Sequence, residues 1–165
     1  MSDERPAVLS DDMRRVVLEQ RLSFAATVCP DGTPNLSPKG TTTVWDETHL
    51  VFADIRSPNT VRNLRENPSI EVNVVDPMVR KGYRFKGTAE LYSSGDVYEH
   101  GLRLLGNRGY DARPERIKTI VLIQVEHAAA LVSPAYDAGA SEDEVAARWE
   151  AHAQELAKSR RIVPG

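Results

Sequence analysis

The chain has 165 residues, 41% hydrophobic and 27% charged, and these proportions are typical of a soluble globular protein rather than a disordered or collagen-like chain. Its 21 basic and 24 acidic residues give a formal net charge of -3, and only 6% of the residues are aromatic, so the composition does not favour binding to nucleic acid. The single cysteine, Cys29, excludes an internal disulfide bond and a zinc site built from several cysteines.

The N-terminal residues carry no apolar run after their charges, so we expect no signal peptide, and no window of the chain is apolar enough to cross a membrane. We therefore expect a cytoplasmic protein without a membrane partner. At this length a second full domain is not expected, and residues 1–165 are predicted to form a single domain that ends in a helix over residues 141–161.

The predicted elements are short strands with helices between some of them. In chain order, periodicity and turn signals predict a helix over residues 10–21, strands over 22–29, 34–45 and 50–55, a helix over 58–66, strands over 69–76 and 82–92, a helix over 94–106, a strand over 117–125 and a helix over 141–161. Ser10 and Ser94 are expected to cap the helices over residues 10–21 and 94–106. No G-x-G-x-x-G motif follows the first strand, so a Rossmann sheet is disfavoured. The residues indicate a small β-barrel of about six antiparallel strands with peripheral helices.

The second strand is predicted to be irregular. Pro38 cannot donate to a β-ladder and lies close to Gly40, so we expect a bulge or an edge position at residues 37–40. Such a kink exposes backbone beside Lys39.

A helix start follows the third strand. Ser57 is expected to cap the helix over residues 58–66, and Pro58 suits its first position. With Lys39 and Arg56 in the same sequence neighbourhood, the positive end of this helix suits a phosphate or a carboxylate. An ordinary cap with scattered surface cations fits the same residues.

The C-terminal helix is expected to begin at a Ser141 cap and to carry an apolar stripe. The members of that stripe are Val145, Trp149, His152 and Leu156. A stripe of this kind docks on the chain's own sheet or on a partner, and the sequence leaves both open.

Three segments together resemble the pyridoxamine 5'-phosphate oxidase-like flavoproteins, whose fold is the FMN-binding split barrel. They are SFAATVCPDGTPNLSPKG, LVFADIRSPNTVRNLRENPSIEVNVVD and YRFKGTAELY, and they cover most of residues 10–93. The resemblance implies a mainly β protein with α-helices, FMN as the cofactor, a homodimer with two cofactor sites between its subunits, and an oxidoreductase that acts on a small molecule.

The resemblance also implies which residues bind the cofactor. They are Lys39, Gly40, Thr41 and Thr42 along the flavin ring and ribityl chain, Ala53 and Asp54 near the ring, Ser57, Asn59 and Thr60 at the phosphate with Arg62 nearby, and Tyr83 and Arg84 across a dimer interface. Lys39 and Arg84 are the candidates for stabilising negative charge on the reduced flavin, although each also fits a surface ion pair. No general acid, general base or metal site is identified.

Two departures from the family pattern bear on the substrate. The vitamin-processing members carry an Arg-Lys pair where this chain has Pro58 and Asn59, and they have an arginine-rich C-terminal segment where this chain has a helix. Oxidation of pyridoxamine phosphate is therefore not the expected reaction.

Two alternative functions remain open from the sequence. One is an FMN or haem protein without turnover, although the histidines His49, His100, His127 and His152 are predicted to be surface or packing residues. The other is a deazaflavin-dependent reductase, for which Arg56, Arg62, Arg65, Lys81 and Arg84 would form an extended basic groove.

Overall fold

The fold is a curled antiparallel sheet with helices around it. A computed structural model describes residues 8–160, which form seven strands and four helices. In chain order these are α1 (Asp11–Glu19), β1 (Ser23–Val28), β2 (Pro34–Lys39), β3 (Thr43–Val44), β4 (His49–Asp54), α2 (Pro58–Glu66), β5 (Ser69–Asp76), β6 (Lys81–Tyr92), α3 (Gly95–Asn107), β7 (Thr119–Val132) and α4 (Glu142–Arg160).

The sheet curls until its two ends approach each other. The strand order is β2-β1-β5-β6-β7-β4-β3, and every pairing is antiparallel. Only residues 40–42 separate β2 at one end of the sheet from β3 at the other. Ser23 Oγ on β1 and Thr42 Oγ1 share a hydrogen bond of 2.7 Å across this junction. The predicted mainly β split barrel with peripheral helices is confirmed.

Two predicted strands differ from the structure. The strand predicted over residues 34–45 is divided into β2 and β3, because residues 40–42 leave the ladder where the sheet turns back on itself. The strand predicted over residues 117–125 extends to Val132, since β6 pairs with it along its whole length. The apolar run stops at Val125, so the extension depends on a partner strand rather than on local sequence.

Buried side chains form two apolar groups. Inside the curl lie Ala25, Phe52, Val72, Phe85, Val121 and Ile123 among others. Between the sheet and α3 lie Val51, Ala53, Tyr98, Leu105, Ile117 and Ile120. Burial of these faces is the main favourable contribution to folding.

The helix caps agree only in part with the sequence. Ser10 Oγ accepts from the amide of Met13 at 3.2 Å, and Ser141 Oγ accepts from the amide of Glu144 at 3.2 Å, so both predicted caps are confirmed. Ser94 makes no side-chain hydrogen bond to α3, so the predicted cap there is wrong. Asp96 still places a negative charge in the first turn of α3, where it interacts favourably with the helix dipole.

The predicted apolar stripe of α4 is mostly exposed. Only Val145 is buried, and Leu156 is 44% exposed. The first turns contact their own protomer, where the Arg80 guanidinium lies 3.4 Å from the centroid of the Trp149 ring. Arg161, which the sequence places at the helix end, lies outside the described residues. Among residues 8–160, no helix combines the length and the apolar character that crossing a membrane requires.

Candidate functional site

A cavity of about 400 Å³ lies where the ends of β2 and β4 meet, and this is a normal size for a small-molecule site. Its lining comes from three parts of the chain that are far apart in sequence. The lining residues are Ser37, Pro38, Lys39, Gly40, Thr41, Ala53, Ile55, Arg56, Ser57 and Tyr110. The sequence had placed five of them, Lys39, Gly40, Thr41, Ala53 and Ser57, in a cofactor site.

Lys39 is the buried cation of the cavity. It is only 5% exposed, and its ammonium donates to Ser37 Oγ at 3.1 Å and also to Ser57 Oγ. The ammonium lies 5.2 Å from the centroid of the Phe52 ring, which is a cation–π contact. Burial lowers the pKa of Lys39, and the nearby carboxylate of Asp54 partly offsets that effect. A buried ammonium at a cavity wall favours an anionic or electron-rich ligand.

Ser57 does not cap α2, so the predicted cap is wrong. Its hydroxyl donates to Asp54 Oδ1 at 2.6 Å, and its amide donates to the same oxygen at 3.0 Å. The Ser57 hydroxyl is therefore directed at the carboxylate at the end of β4, and its oxygen accepts from no amide of α2. The consequence is a chain of contacts from Asp54 through Ser57 to Lys39, and a helix start without a cap from Ser57.

The segment between β2 and β3 is fixed by threonine hydroxyls. Thr41 Oγ1 accepts from the amide of Ala53 at 3.0 Å, and Thr42 bonds to Ser23 as described above. Both threonines are buried. A β-carbon added at Gly40 would meet only Arg21 O, at 3.6 Å, so the protein itself leaves room beside the backbone there.

The sequence model of the pyridoxamine 5'-phosphate oxidase family matches residues 9–132, a segment that contains every residue lining this cavity. The chain belongs to this family. Both the resemblance and the split-barrel fold inferred from the sequence are therefore confirmed.

Two relatives are about 30% identical to this chain, and their matches cover different shares of its length. HupZ of Group A Streptococcus is 31% identical, and its structure matches with a TM-score of 0.66 over 75% of this chain and 94% of that chain. An uncharacterised protein of Methanocaldococcus jannaschii is 32% identical over 81 residues, which are 48% of this chain and 54% of that protein. The chain thus spans about half the length of this curated relative.

Two more distant structures show the shared fold alone. One is an FMN-binding protein from Syntrophomonas wolfei, which is 14% identical with a TM-score of 0.62 over 74% of this chain and 86% of that chain. The other is an F420 reductase, which is 20% identical with a TM-score of 0.58 over 73% of this chain and 98% of that chain.

Three residues that the family resemblance places at or near the phosphate do not line the cavity, namely Asn59, Thr60 and Arg62. Thr60 is 1% exposed, and its hydroxyl accepts from Asn35 Nδ2 at 3.4 Å, so it faces the β1–β2 hairpin. Asn59 Oδ1 accepts from Arg62 Nη2 at 2.9 Å on the outer surface of α2. The backbone amides of Asn59 and Thr60, rather than their side chains, belong to the helix start beside Ser57.

Tyr83 and Arg84 lie away from Lys39 within one protomer. They are on β6, three strands from β2 in the sheet order. Tyr83 donates to Asp12 at a second cavity of about 310 Å³. Arg84 Nε lies 3.0 Å from Glu71 Oε1 on the surface. A single protomer therefore does not bring these two residues to the cavity.

The residues that line the cavity fit a phosphorylated flavin. Lys39 and Arg56 are cationic, and the set of lining residues contains no carboxylate. Tyr110, to which the sequence assigned no role, also lines the cavity. Its hydroxyl is shielded from solvent and has no hydrogen-bond partner among residues 8–160. No local pattern pointed to Tyr110, because it comes from the connector between α3 and β7.

A metal centre is not favoured in the described part of the chain. Residues 8–160 contain no group of three or more His, Cys, Asp or Glu side chains that could hold a metal ion. His49 Nδ1 lies 2.9 Å from Asp46, while His100 packs against Trp45 with ring centroids 4.5 Å apart.

Proposed function

We propose that this protein is an FMN-dependent oxidoreductase that acts on a small molecule. The observation that carries the proposal is the buried Lys39 at the wall of a ligand-sized cavity, joined to Ser57 at the start of α2. Membership of the pyridoxamine 5'-phosphate oxidase family and the fold shared with an FMN-binding protein support the choice of cofactor.

In this proposal the chain supplies binding and electrostatics. Lys39 and Arg56 attract the anionic groups of the ligand, and the start of α2 offers backbone amides that Ser57 does not cap. FMN supplies the redox chemistry when it is bound. The proton held on Lys39 Nζ keeps a positive charge at the cavity wall, which favours negative charge gained on reduction. The other residues assigned to the cofactor on the segment between β2 and β3 and at the end of β4 lie at or next to the same cavity. They are Gly40, Thr41, Thr42, Ala53 and Asp54.

A homodimer forms part of the proposal. Apolar side chains are exposed on one end of the sheet, with Leu22 at 55%, Phe24 at 43%, Leu36 at 65% and Val75 at 37%. A second copy covering this area would remove apolar surface from water and would bring its own Tyr83 and Arg84 to a shared interface. We expect a particle of twice the 18.3 kDa chain mass in sedimentation velocity, and a purely monomeric protein would contradict the dimer.

The cofactor is tested directly on purified protein. We expect a yellow protein that releases FMN on denaturation, and an apoprotein that binds FMN with about one equivalent per chain in a fluorescence titration. Parallel titrations with the deazaflavin F420 and with haem act as controls. Tight binding of either one together with no binding of FMN would contradict the proposal. Anaerobic reduction of the bound FMN by NADH or NADPH is expected of an enzyme, whereas an FMN carrier without turnover would leave the FMN oxidised. The cytoplasmic location stays a prediction.

A further inference from the structure

Lys39 carries its charge in surroundings that disfavour a charge. It is only 5% exposed, so its ammonium has lost most of the water that would stabilise it. The groups that contact the ammonium directly are the hydroxyls of Ser37 and Ser57 and the ring of Phe52, and all three are neutral. A buried cation of this kind is retained when a nearby group of opposite charge compensates it.

Asp54 reaches Lys39 through Ser57. Asp54 Oδ1 accepts from the Ser57 hydroxyl at 2.6 Å and from the Ser57 amide at 3.0 Å. Because the hydroxyl proton is directed at Asp54, the lone pairs of the same oxygen are left to accept from Lys39 Nζ. The carboxylate also polarises the hydroxyl, which strengthens the bond from the ammonium. One carboxylate therefore fixes both the position of Ser57 and the direction of its hydroxyl.

The same arrangement keeps the negative charge out of the cavity wall. Lys39, Ser37 and Ser57 line the cavity, whereas Asp54 does not. A carboxylate among the lining residues would repel an anionic ligand. With Ser57 between the two charged groups, the ligand meets the cation, and the carboxylate that compensates it stays outside the lining.

The other charged or titratable side chains around Lys39 do not provide this compensation. Arg56, in the segment between β4 and α2, has the same sign as Lys39, and Tyr110 comes from the connector after α3. The neighbouring strand β1, SFAATV, contains no charged residue. On α2, Arg62 donates to Asn59 on the outer surface.

We propose that Asp54 is a positioning residue that acts through Ser57 to hold the Lys39 ammonium charged and in place for an anionic ligand. The inference rests on the proposed function, and it gives Asp54 a role behind Lys39 in place of the position near the flavin ring that the family resemblance implies. Burial lowers the pKa of Lys39, and the Asp54 carboxylate raises it again, in agreement with this role.

The first test needs no cofactor. Asp54→Asn keeps the size of the side chain and an oxygen that accepts from Ser57, but it removes the charge. The pKa of Lys39 is read in the apoprotein from the pH dependence of its ε-carbon resonance by NMR, and Lys39→Met identifies that resonance. We expect a lower pKa of Lys39 in Asp54→Asn than in the wild type. Asp143→Asn is the matched control, since Asp143 is exposed on α4, and it should leave the pKa of Lys39 unchanged.

The second test measures FMN affinity against pH in a fluorescence titration. At a pH where Lys39 is charged in both proteins, Asp54→Asn should bind FMN at least as tightly as the wild type, because a negative charge near the ligand has been removed. At a higher pH, where only the wild-type Lys39 keeps its proton, the variant should bind about tenfold more weakly, the loss of one charge-assisted hydrogen bond. In the Lys39→Met background, Asp54→Asn should leave the profile unchanged.

The outcomes separate the inference from the proposed function. Equal pKa values of Lys39 in Asp54→Asn and the wild type would overturn the inference and leave the proposed function in place. An equal loss of FMN affinity at every pH would also overturn it, since this pattern indicates a structural role alone. A wild-type protein that does not bind FMN would overturn the proposed function, while the pKa in the apoprotein would still decide the role of Asp54.

The double variant keeps the inference testable if Asp54→Asn alone does not fold. Asp54→Asn combined with Lys39→Met removes both charges, so no buried charge is left uncompensated and this chain should fold. A double variant that also fails to fold would mean that Asp54 supports the structure independently of Lys39, and this too would overturn the inference.

Discussion

Alanine at Gly87 is expected to lower the free energy of unfolding by about 3 kcal/mol, at the upper end of the range for overpacking. Gly87 lies at the register shift of β6, where β6 pairs with β7. A β-carbon there would lie 1.9 Å from Gln124 O and 2.9 Å from Gln124 C, both in the backbone of β7. Because backbone atoms cannot rotate away, the two strands would have to separate.

The measurement is urea denaturation followed by circular dichroism, with Gly106→Ala as the control. A β-carbon at Gly106 in α3 would meet only Ala112 Cβ, at 3.9 Å, and Gly106 does not have a positive φ. That control should keep or raise stability, by up to about 1 kcal/mol, because alanine favours a helix. Equal urea midpoints for Gly87→Ala and the wild type would contradict the close approach of β6 and β7.

Methionine at Lys39 is expected to weaken FMN binding roughly 10- to 100-fold, the range for losing a charge-assisted hydrogen bond. Methionine keeps the length and the apolar stem of the side chain but removes the charge. Lys158→Met is the matched control, since Lys158 is exposed near the end of α4. Fluorescence titration of both variants measures the effect, and equal losses would mean that the charge of Lys39 has no specific role.

The role proposed for the Lys39 ammonium also predicts that the affinity for FMN depends on pH. Burial holds the pKa of Lys39 below its usual value of about 10.4. An anionic ligand favours the ammonium, so binding raises that pKa again. Affinity for FMN should therefore be constant below the pKa of the free protein and should fall as pH rises through it. Titrations at and above about pH 8, where the phosphate is fully ionised, should show this fall in the wild type and a flat profile in Lys39→Met. Identical profiles of FMN affinity against pH for the wild type and Lys39→Met would refute the role of Lys39 in binding the anionic ligand.

Local signals explain how much of the fold could be predicted. Pro58, the apolar residues of α2 and the Asn67-Pro68 stop all act within a few residues, and α2 begins at Pro58 and ends at Glu66 as predicted. The predicted cap at Ser57 was wrong even though the competing group, Asp54, is only three residues away in the sequence. The Ser57 side chain can turn its oxygen toward the first amides of α2 or its hydroxyl proton toward Asp54, and the position of β4 selects Asp54.

The sequence by itself determined the helices, the approximate positions of most strands and the family, because periodicity, turn residues and the family motifs depend on neighbouring residues. It also placed Lys39 and Ser57 in one site. Only the tertiary structure decided that β7 continues to Val132, that α4 leaves most of its stripe exposed, and that Tyr110 lines the same cavity as Lys39. These three features depend on which surfaces meet when the sheet curls. Contacts between distant segments are selected by the packing of the whole chain, so no local pattern contains them.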